Sequence, residues 1–343
     1  RIQMYLFVMV PRMAQMRSTA SSVVQKAQHD DPALTDPVHP RWRSVEVVTC
    51  VSGGTQLMVA DFPVFDIFRE TTPLPTVHNI CENVEWEGMH FRLRAYAHFF
   101  REVLEQPAAG GLEVLYLVSD GLDVFFNDVS ETLHGGVAGG VSPADRARAT
   151  ARLLAERYEA VASSGGSKKP IVMSTERLCG WGGAKLCSED DEARYPESPT
   201  DSKYLNAGGY MGPARALSAM IEAVLHLKEH ADEVDMEKGR QSDQYFFKKY
   251  FWDNQHMIAL DYGQTIFGNF LEIVNKPCEN DWVPLCAVKP CCTESDHFKT
   301  FHSIFYGRYQ VRGCMVWRQG NLPVSWHGNG AGKWLWLLAL DRL

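Results

Sequence analysis

Hydrophobic positions follow two rhythms that alternate along the chain. Val45, Val47, Val48 and Val51 form a β-branched run ending in Ser52-Gly53-Gly54, the pattern of a buried strand followed by a tight turn. Over residues 89–104, Tyr96, Phe99, Phe100, Val103 and Leu104 stand at i, i+3, i+4, i+7 and i+8, which predicts an amphipathic helix whose stripe faces the core. Leu112 to Val118 is nearly all apolar between Gly110-Gly111 and Ser119-Asp120-Gly121. That predicts a central parallel strand buried on both faces, with Asp120 at its carboxyl end.

Ser142-Pro143-Ala144-Asp145 supplies an N-cap, a proline at the first helical position and an acid in the first turn, opening a helix to about Val161. After a break over residues 163–169, Ile171 to Ser174 reads as a strand, and a helix begins near Pro213 with Leu217, Met220, Ile221, Val224 and Leu225 on one face. Alternation of this kind predicts a doubly wound, Rossmann-like α/β sheet flanked by helices, with ligands outside the carboxyl ends of its strands. Residues 1–44 read as a flexible lead-in, polar from residue 11 and punctuated by Asp36-Pro37 and His39-Pro40. Residues 45–343 read as a single domain, interrupted by irregular segments at 177–202 and 276–294.

Composition narrows the function classes. The 343 residues are 45% hydrophobic and 22% charged, as in a folded globular protein. Acidic residues outnumber basic ones by 42 to 34, and no basic run interleaved with aromatics offers a nucleic-acid surface. The apolar stretch at residues 2–10 falls far short of the roughly 20 residues a spanning helix needs. It is either the cut end of a signal peptide or anchor, or an ordinary N-terminal strand. Nine cysteines, five of them late (Cys278, Cys286, Cys291, Cys292 and Cys314), point to disulfides in the lumen of the endoplasmic reticulum or Golgi, or in a secreted protein. A zinc site lacks the usual C-x-x-C spacing.

The candidate chemistry lies at the strand ends and glycine-rich turns. Asp120 and Asp123 put two carboxylates just beyond a buried strand; such acids serve either as turn and cap residues or as oxygen ligands for Mn²⁺ or Mg²⁺. In Trp326-His327-Gly328-Asn329-Gly330, with Lys333 behind it, glycines let the backbone approach a ligand while His327 offers an imidazole nitrogen and Lys333 a cation for phosphate. The segment Tyr204-Leu205-Asn206-Ala207-Gly208-Gly209-Tyr210-Met211-Gly212 is either a glycine-rich loop tightening a strand-to-helix turn or a close-approach surface where Asn206 meets a sugar hydroxyl. In Gln241-Ser242-Asp243-Gln244, Ser242 can cap a helix with Asp243 in its first turn, or Asp243 can act on a sugar. Residues 261–269 read as a loop and a short strand.

Taken in order, these pieces resemble the glycosyltransferase domain of the procollagen lysyl hydroxylase and glycosyltransferase family. The resemblance runs from about residue 45 to 335. It rests on the D-x-x-D-V segment, Ser174 and Glu176 with Cys179 and Trp181, Tyr195-Pro196, Y-L-N-A-G-G-Y-M-G, S-D-Q-x-F-F, L-D then I-F-x-N, and V-x-x-H-G-N-G-x-x-K. It implies a GT-A fold, a Rossmann-like mixed sheet in which Asp120, Asp123 and His327 hold Mn²⁺ against the diphosphate of a UDP-sugar. By the same resemblance, Trp86 packs beside the uracil and Trp181 flanks the sugar pocket. Asn206, Gly208, Gly209, Gly328, Asn329, Gly330 and Lys333 line the donor site, and Asp243 is the catalytic candidate.

Two departures bear on that expectation. Ser242 stands where the family has another acid, and His90, in Gly88-Met89-His90-Phe91-Arg92, stands where it has a phosphate-contacting lysine. The expected activity is transfer of galactose or glucose from UDP-galactose or UDP-glucose to a hydroxyl acceptor. By resemblance that acceptor is hydroxylysine or galactosyl-hydroxylysine of a collagen-like protein. A non-catalytic sugar-nucleotide or glycan-binding module is the alternative.

Overall fold

The structure is a computed structural model that describes residues 37–50, 76–81, 89–106, 112–120, 124–126, 142–181, 184–185, 187–240, 243–269, 309–312, 315–318 and 323–327. Strand β1 (Trp42–Thr49) is followed by β2 (Val77–Asn79), helix α1 (Met89–Glu105), β3 (Glu113–Ser119), β4 (Val124–Phe126), α2 (Pro143–Ala162) and β5 (Ile171–Glu176). Next come β6 (Gly180–Trp181), β7 (Ala184–Lys185), α3 (Glu189–Ala193), β8 (Tyr204–Pro213), α4 (Ala214–Glu229), α5 (Glu233–Arg240) and α6 (Gln244–Asp253). The last strands are β9 (Ile258–Leu260), β10 (Phe267–Asn269), β11 (Tyr309–Arg312), β12 (Met315–Arg318) and β13 (Ser325–His327).

The main sheet has six strands in the order β2-β1-β3-β8-β5-β9. Pairs β2–β1, β1–β3 and β5–β9 are parallel, while β8 runs antiparallel to both β3 and β5. The expected mixed α/β sheet flanked by helices is therefore present, but the purely parallel environment expected for β3 is not. The physical reason is β8. The Tyr204–Gly212 stretch expected as a loop is a ten-residue strand buried along its length, inserted between two strands that run against it.

Side chains leave alternate faces of a strand, and the two cores show it. Val48, Tyr116 and Val118 join one cluster with Leu93, Phe100, Leu217 and Phe246 from α1, α4 and α6. Val45, Val47, Leu115 and Leu117 join the other with Leu154, Ala155 and Tyr158 from α2. Helix α2 is capped by Ser142, whose side chain accepts from the Asp145 amide, as the sequence predicts. Strand β1 starts at Trp42, three residues ahead of its valine run. There the Trp42 ring packs edge-on against Tyr158 at 5.6 Å and its Nε1–H donates to Glu159 at 2.8 Å, so the indole is held by α2 rather than by β propensity.

Disulfides link Cys50 to Cys81, tying the end of β1 to the turn after β2, and Cys179 to Cys187, closing the β6–β7 hairpin. The five later cysteines lie outside the described residues. Among the described residues no helix is long and apolar enough to cross a membrane.

Candidate functional site

The site forms at the carboxyl end of β3, where a second, three-stranded sheet ordered β10-β13-β4 meets the first. Asp120 follows directly on β3, and its amide donates to the Gly208 carbonyl of β8 at 3.0 Å. His327 ends β13, paired with Asn269 on one side and with Val124 on the other. The D-x-x-D-V segment and the H-G-N-G segment are thus neighbours through sheet pairing. Nε2 of His327 lies 3.4 Å from Oδ2 of Asp120.

Gly208 is what lets the imidazole in. A Cβ added there would lie 2.5 Å from Nδ1 of His327 and 2.9 Å from Nε2, and one on Gly209 would lie 2.7 Å from the Phe267 ring. Contacts that close do not occur, so the paired glycines make a shelf on β8 for two side chains of the second sheet. The space expected for a sugar at these two positions is filled by His327 and Phe267. Asn206 likewise turns inward and is fully buried. Its Oδ1 accepts from the Gly208 amide at 2.8 Å and from Nδ1 of His327 at 3.2 Å, while its Nδ2 donates to Glu176 at 3.1 Å.

This orientation sets which edge of the imidazole faces Asp120. Because Nδ2 of Asn206 serves Glu176, Oδ1 is the acceptor toward Nδ1 of His327, and Nε2 is left facing a carboxylate oxygen of Asp120. An imidazole nitrogen and a carboxylate oxygen facing each other are donors that a cation can share, and a backing N–H···O=C bond is the usual support of a metal-ligating histidine. The donor chemistry of Asp120 and His327 therefore fits a divalent ion of the Mn²⁺ type. Among the described residues no group of three or more His, Cys, Asp or Glu converges as a metal cluster. Asp123, the third expected ligand, lies outside the described residues.

Asp243 caps α6 by position only, since its side chain makes no capping bond. The carboxylate, 3% exposed, instead accepts from Nη2 of Arg92 at 2.6 Å. Nη1 of the same guanidinium donates to Asp120, so one arginine bridges the strand-end acid and the helix-end acid. Burial alone lowers Arg92's affinity for its proton, but the charges of Asp120 and Asp243 outweigh it and hold the guanidinium protonated. Tyr96, Gly208 and Tyr210 complete a small recess with Arg92, Asp120 and Asp243.

Behind the recess sits a buried polar layer. Glu176 accepts from Asn206 and, at 2.5 Å, from Nε2 of Gln244, whose Oε1 accepts from the Ala207 amide at 3.2 Å. Burial pushes the Glu176 carboxyl up, opposed by Lys248 and by its two amide donors. Lys248 is also buried and donates to Sγ of Cys179 at 3.6 Å. Burial lowers its amine to about 8.

Of the residues expected from sequence, Asp120, His327, Asn206, Gly208, Gly209 and Asp243 come together here. Trp181 is placed by its backbone in β6, opposite Ala184. Trp86, Asp123, Gly328, Asn329, Gly330 and Lys333 lie outside the described residues. Sequence reasoning left Arg92, Glu176 and Gln244 without roles. Arg92 had a signal, because it stands four residues before Tyr96 on the buried stripe of α1; Glu176 and Gln244 had none beyond their place in the motifs.

Comparison with known proteins adds a likeness over part of the chain. A solved glycosyltransferase involved in the glycosylation of the major capsid of PBCV-1 is similar at a TM-score of 0.35 and 10% identity, over 66% of this chain and 84% of that one. A likeness at that level carries no weight for function. No curated protein matches in sequence. The family model described as the PLOD GT domain matches residues 148–279, a stretch that contains Glu176, Asn206, Gly208 and Asp243. Asp120 and His327 lie on either side of it and reach the same site through the two sheets. Residues 148–279 are thus similar to the glycosyltransferase domain of the PLOD family.

Proposed function

We propose that this glycosyltransferase is metal-dependent and moves galactose or glucose from a UDP-sugar to a hydroxyl acceptor, hydroxylysine or galactosyl-hydroxylysine of a collagen-like protein by resemblance. The single observation that carries the metal is the facing of Nε2 of His327 and Oδ2 of Asp120 at 3.4 Å, with Nδ1 already committed to Asn206. Asp120 and His327 would hold Mn²⁺ together with Asp123, which precedes the residue paired with His327. When bound, the divalent ion offsets the charge that develops on the departing UDP.

The chain's own residues do the rest. Arg92 holds the carboxylates of Asp120 and Asp243 in fixed orientations through its two-pronged bonds, so neither must be ordered during the reaction. Asp243, held at the mouth of α6, orients a hydroxyl of the sugar or of the acceptor. By the resemblance, Trp86 stacks beside the uracil, Trp181 flanks the sugar, and Gly328-Asn329-Gly330 with Lys333 meets the diphosphate. The two disulfides suit an oxidising compartment, the lumen of the endoplasmic reticulum or Golgi or the outside of the cell.

The test is UDP release with UDP-glucose and with UDP-galactose, each with and without Mn²⁺, on wild type, Asp120→Asn and His327→Ala. Metal-dependent release by wild type, lost in both variants, is the expected result. No release with either donor would leave the sugar-nucleotide-binding module as the reading, and release indifferent to Mn²⁺ would remove the metal.

A further inference from the structure

Lys248 is a buried cation that sugar transfer does not use. It stands on α6, 1% exposed, and its Nζ donates to Sγ of Cys179 at 3.6 Å. That sulfur belongs to the Cys179–Cys187 disulfide. Burial lowers the amine to about 8, against the pull of Glu176 from β5 and of Asp191 and Glu192 from α3, so at pH 7 it is still mostly an ammonium. A disulfide sulfur is uncharged and a weak acceptor, and the contact gains little while the bond is closed. Once the bond opens, the same contact sets an ammonium against a thiolate, the kind of neighbour that lowers a cysteine's pKa. The geometry therefore favours the reduced form more than the oxidised one.

Two further features make this bridge exchangeable. Its cysteines are 8 apart in sequence, against 31 for Cys50 and Cys81, and a shorter loop restricts the unfolded chain less, so opening it costs the fold less. What it pins is small. Strands β6 and β7 have two residues each and form a sheet of their own, with the Cys187 amide donating to the Cys179 carbonyl at 3.3 Å across the base. A hairpin that short is not stable alone in water, so the disulfide fastens it, and with it the backbone of Trp181.

We propose that Cys179–Cys187 is a thiol–disulfide exchange site whose reduced form is held by Lys248, and that a dithiol reductant acting on it releases the β6–β7 hairpin. One thiolate of the reductant attacks Sγ of Cys187. The Cys179–Cys187 bond breaks, and its electron pair leaves on Sγ of Cys179, a thiolate beside the Lys248 ammonium. The reductant's second thiol loses its proton and attacks the reductant's own sulfur in the mixed disulfide, and Cys187 leaves as a thiolate that takes up a proton. The dithiol is oxidised to a disulfide, the protein bridge is reduced to one thiolate and one thiol, and one proton goes to solvent. The exchange itself is independent of the reaction proposed above. Its consequence for activity rests on that reading, in which Trp181 flanks the sugar: opening the bridge unfastens one wall of the donor pocket.

Graded mixtures of reduced and oxidised dithiothreitol, followed by thiol blocking and peptide mass spectrometry, give a midpoint for each bridge. At pH 7 Cys179–Cys187 should open in wild type at a reduced-to-oxidised ratio about 10-fold lower than in Lys248→Met, as for a thiol held about one unit below neutrality, while Cys50–Cys81 should not move. Opening releases a proton only if Cys179 stays a thiolate, so the wild-type midpoint should shift by about 8-fold between pH 6.5 and 7.5 for such a thiol, and that of Lys248→Met should stay flat. A loss of packing would move the midpoint without this pH dependence. Equal midpoints in wild type and Lys248→Met overturn the proposal, and a pH-independent wild-type midpoint does so even if the variant fails to fold. Cys179→Ser/Cys187→Ser should release UDP about 10-fold or more slowly than wild type, the scale for a misplaced substrate-positioning group. Full activity there overturns the link from bridge to pocket. Absence of UDP release in wild type overturns the sugar-transfer reading instead, and the midpoints still decide the exchange.

Discussion

Nε2 of His327 and Oδ2 of Asp120 meet at 3.4 Å, although one residue closes a strand of a three-stranded sheet and the other directly follows a strand of the six-stranded sheet beside it. Their meeting depends on a gap in β8 where Gly208 has no side chain.

Replacing either member should therefore remove metal-dependent turnover. His327→Ala and Asp120→Asn are each expected to lower kcat for UDP release by about 10²-fold or more, the scale for deleting one preorganised electrostatic group. EDTA should abolish the wild-type rate, and Mn²⁺ should restore it. A His327→Ala enzyme with unchanged Mn²⁺ dependence would show that the pair is structural.

Gly208→Ala should displace His327, because the added Cβ would meet the imidazole ring. Gly209→Ala meets Phe267 instead. Both should lower Tm, since overpacking costs about 1–3 kcal/mol, but Gly208→Ala should weaken Mn²⁺ binding more for the same loss in Tm. Equal effects of the two variants on metal affinity would count against the shelf.

Removing Arg92 leaves Asp243 buried without its cation. Breaking a buried pair from one side costs about 3–5 kcal/mol, so Arg92→Ala should lower the urea midpoint sharply. Arg92→Lys keeps the charge but cannot reach two carboxylates with a fork, and is expected to fold better than Arg92→Ala while recovering little activity. Chemical denaturation and UDP release on both variants check this.

Lys248 gives a pH signature. Burial lowers its amine from 10.5 to about 8, against the pull of Glu176. Between those values the folded chain binds fewer protons than the unfolded one, so this group makes stability rise as pH climbs through the window. From pH 7 to 9.5 the stability of wild type relative to Lys248→Met should increase, by roughly 2 kcal/mol on the usual 1.36 kcal/mol per pKa unit. Urea titrations at the two pH values would sink the idea if the difference stays flat or falls.

The Cys50–Cys81 bridge spans 31 residues, and loop closure of that length is worth about 3–4 kcal/mol. Cys50→Ser/Cys81→Ser should lose about that much, and reducing agent should destabilise wild type but leave that contribution absent in the variant. Thermal melts with and without reductant decide it.

The sequence by itself determined the local pieces. Helical and strand periodicity are properties of a few adjacent residues, so the stripe through Tyr96 and Phe100, the buried run ending at Asp120 and the Ser142 cap could be read directly, and with them an α/β sheet and a strand-end acid. The order of motifs also carried the resemblance to the PLOD GT domain. Tertiary structure decided what depends on distant partners. β8 reads as a loop because three of its glycines break local strand propensity, and only pairing with β3 and β5 makes it a central antiparallel strand. Arg92 and Asp243 are 151 residues apart, and Asn206 and His327 are 121 apart. No periodicity reports such pairs, because the energy that selects them comes from charge and hydrogen-bonding groups buried together only after both sheets have formed.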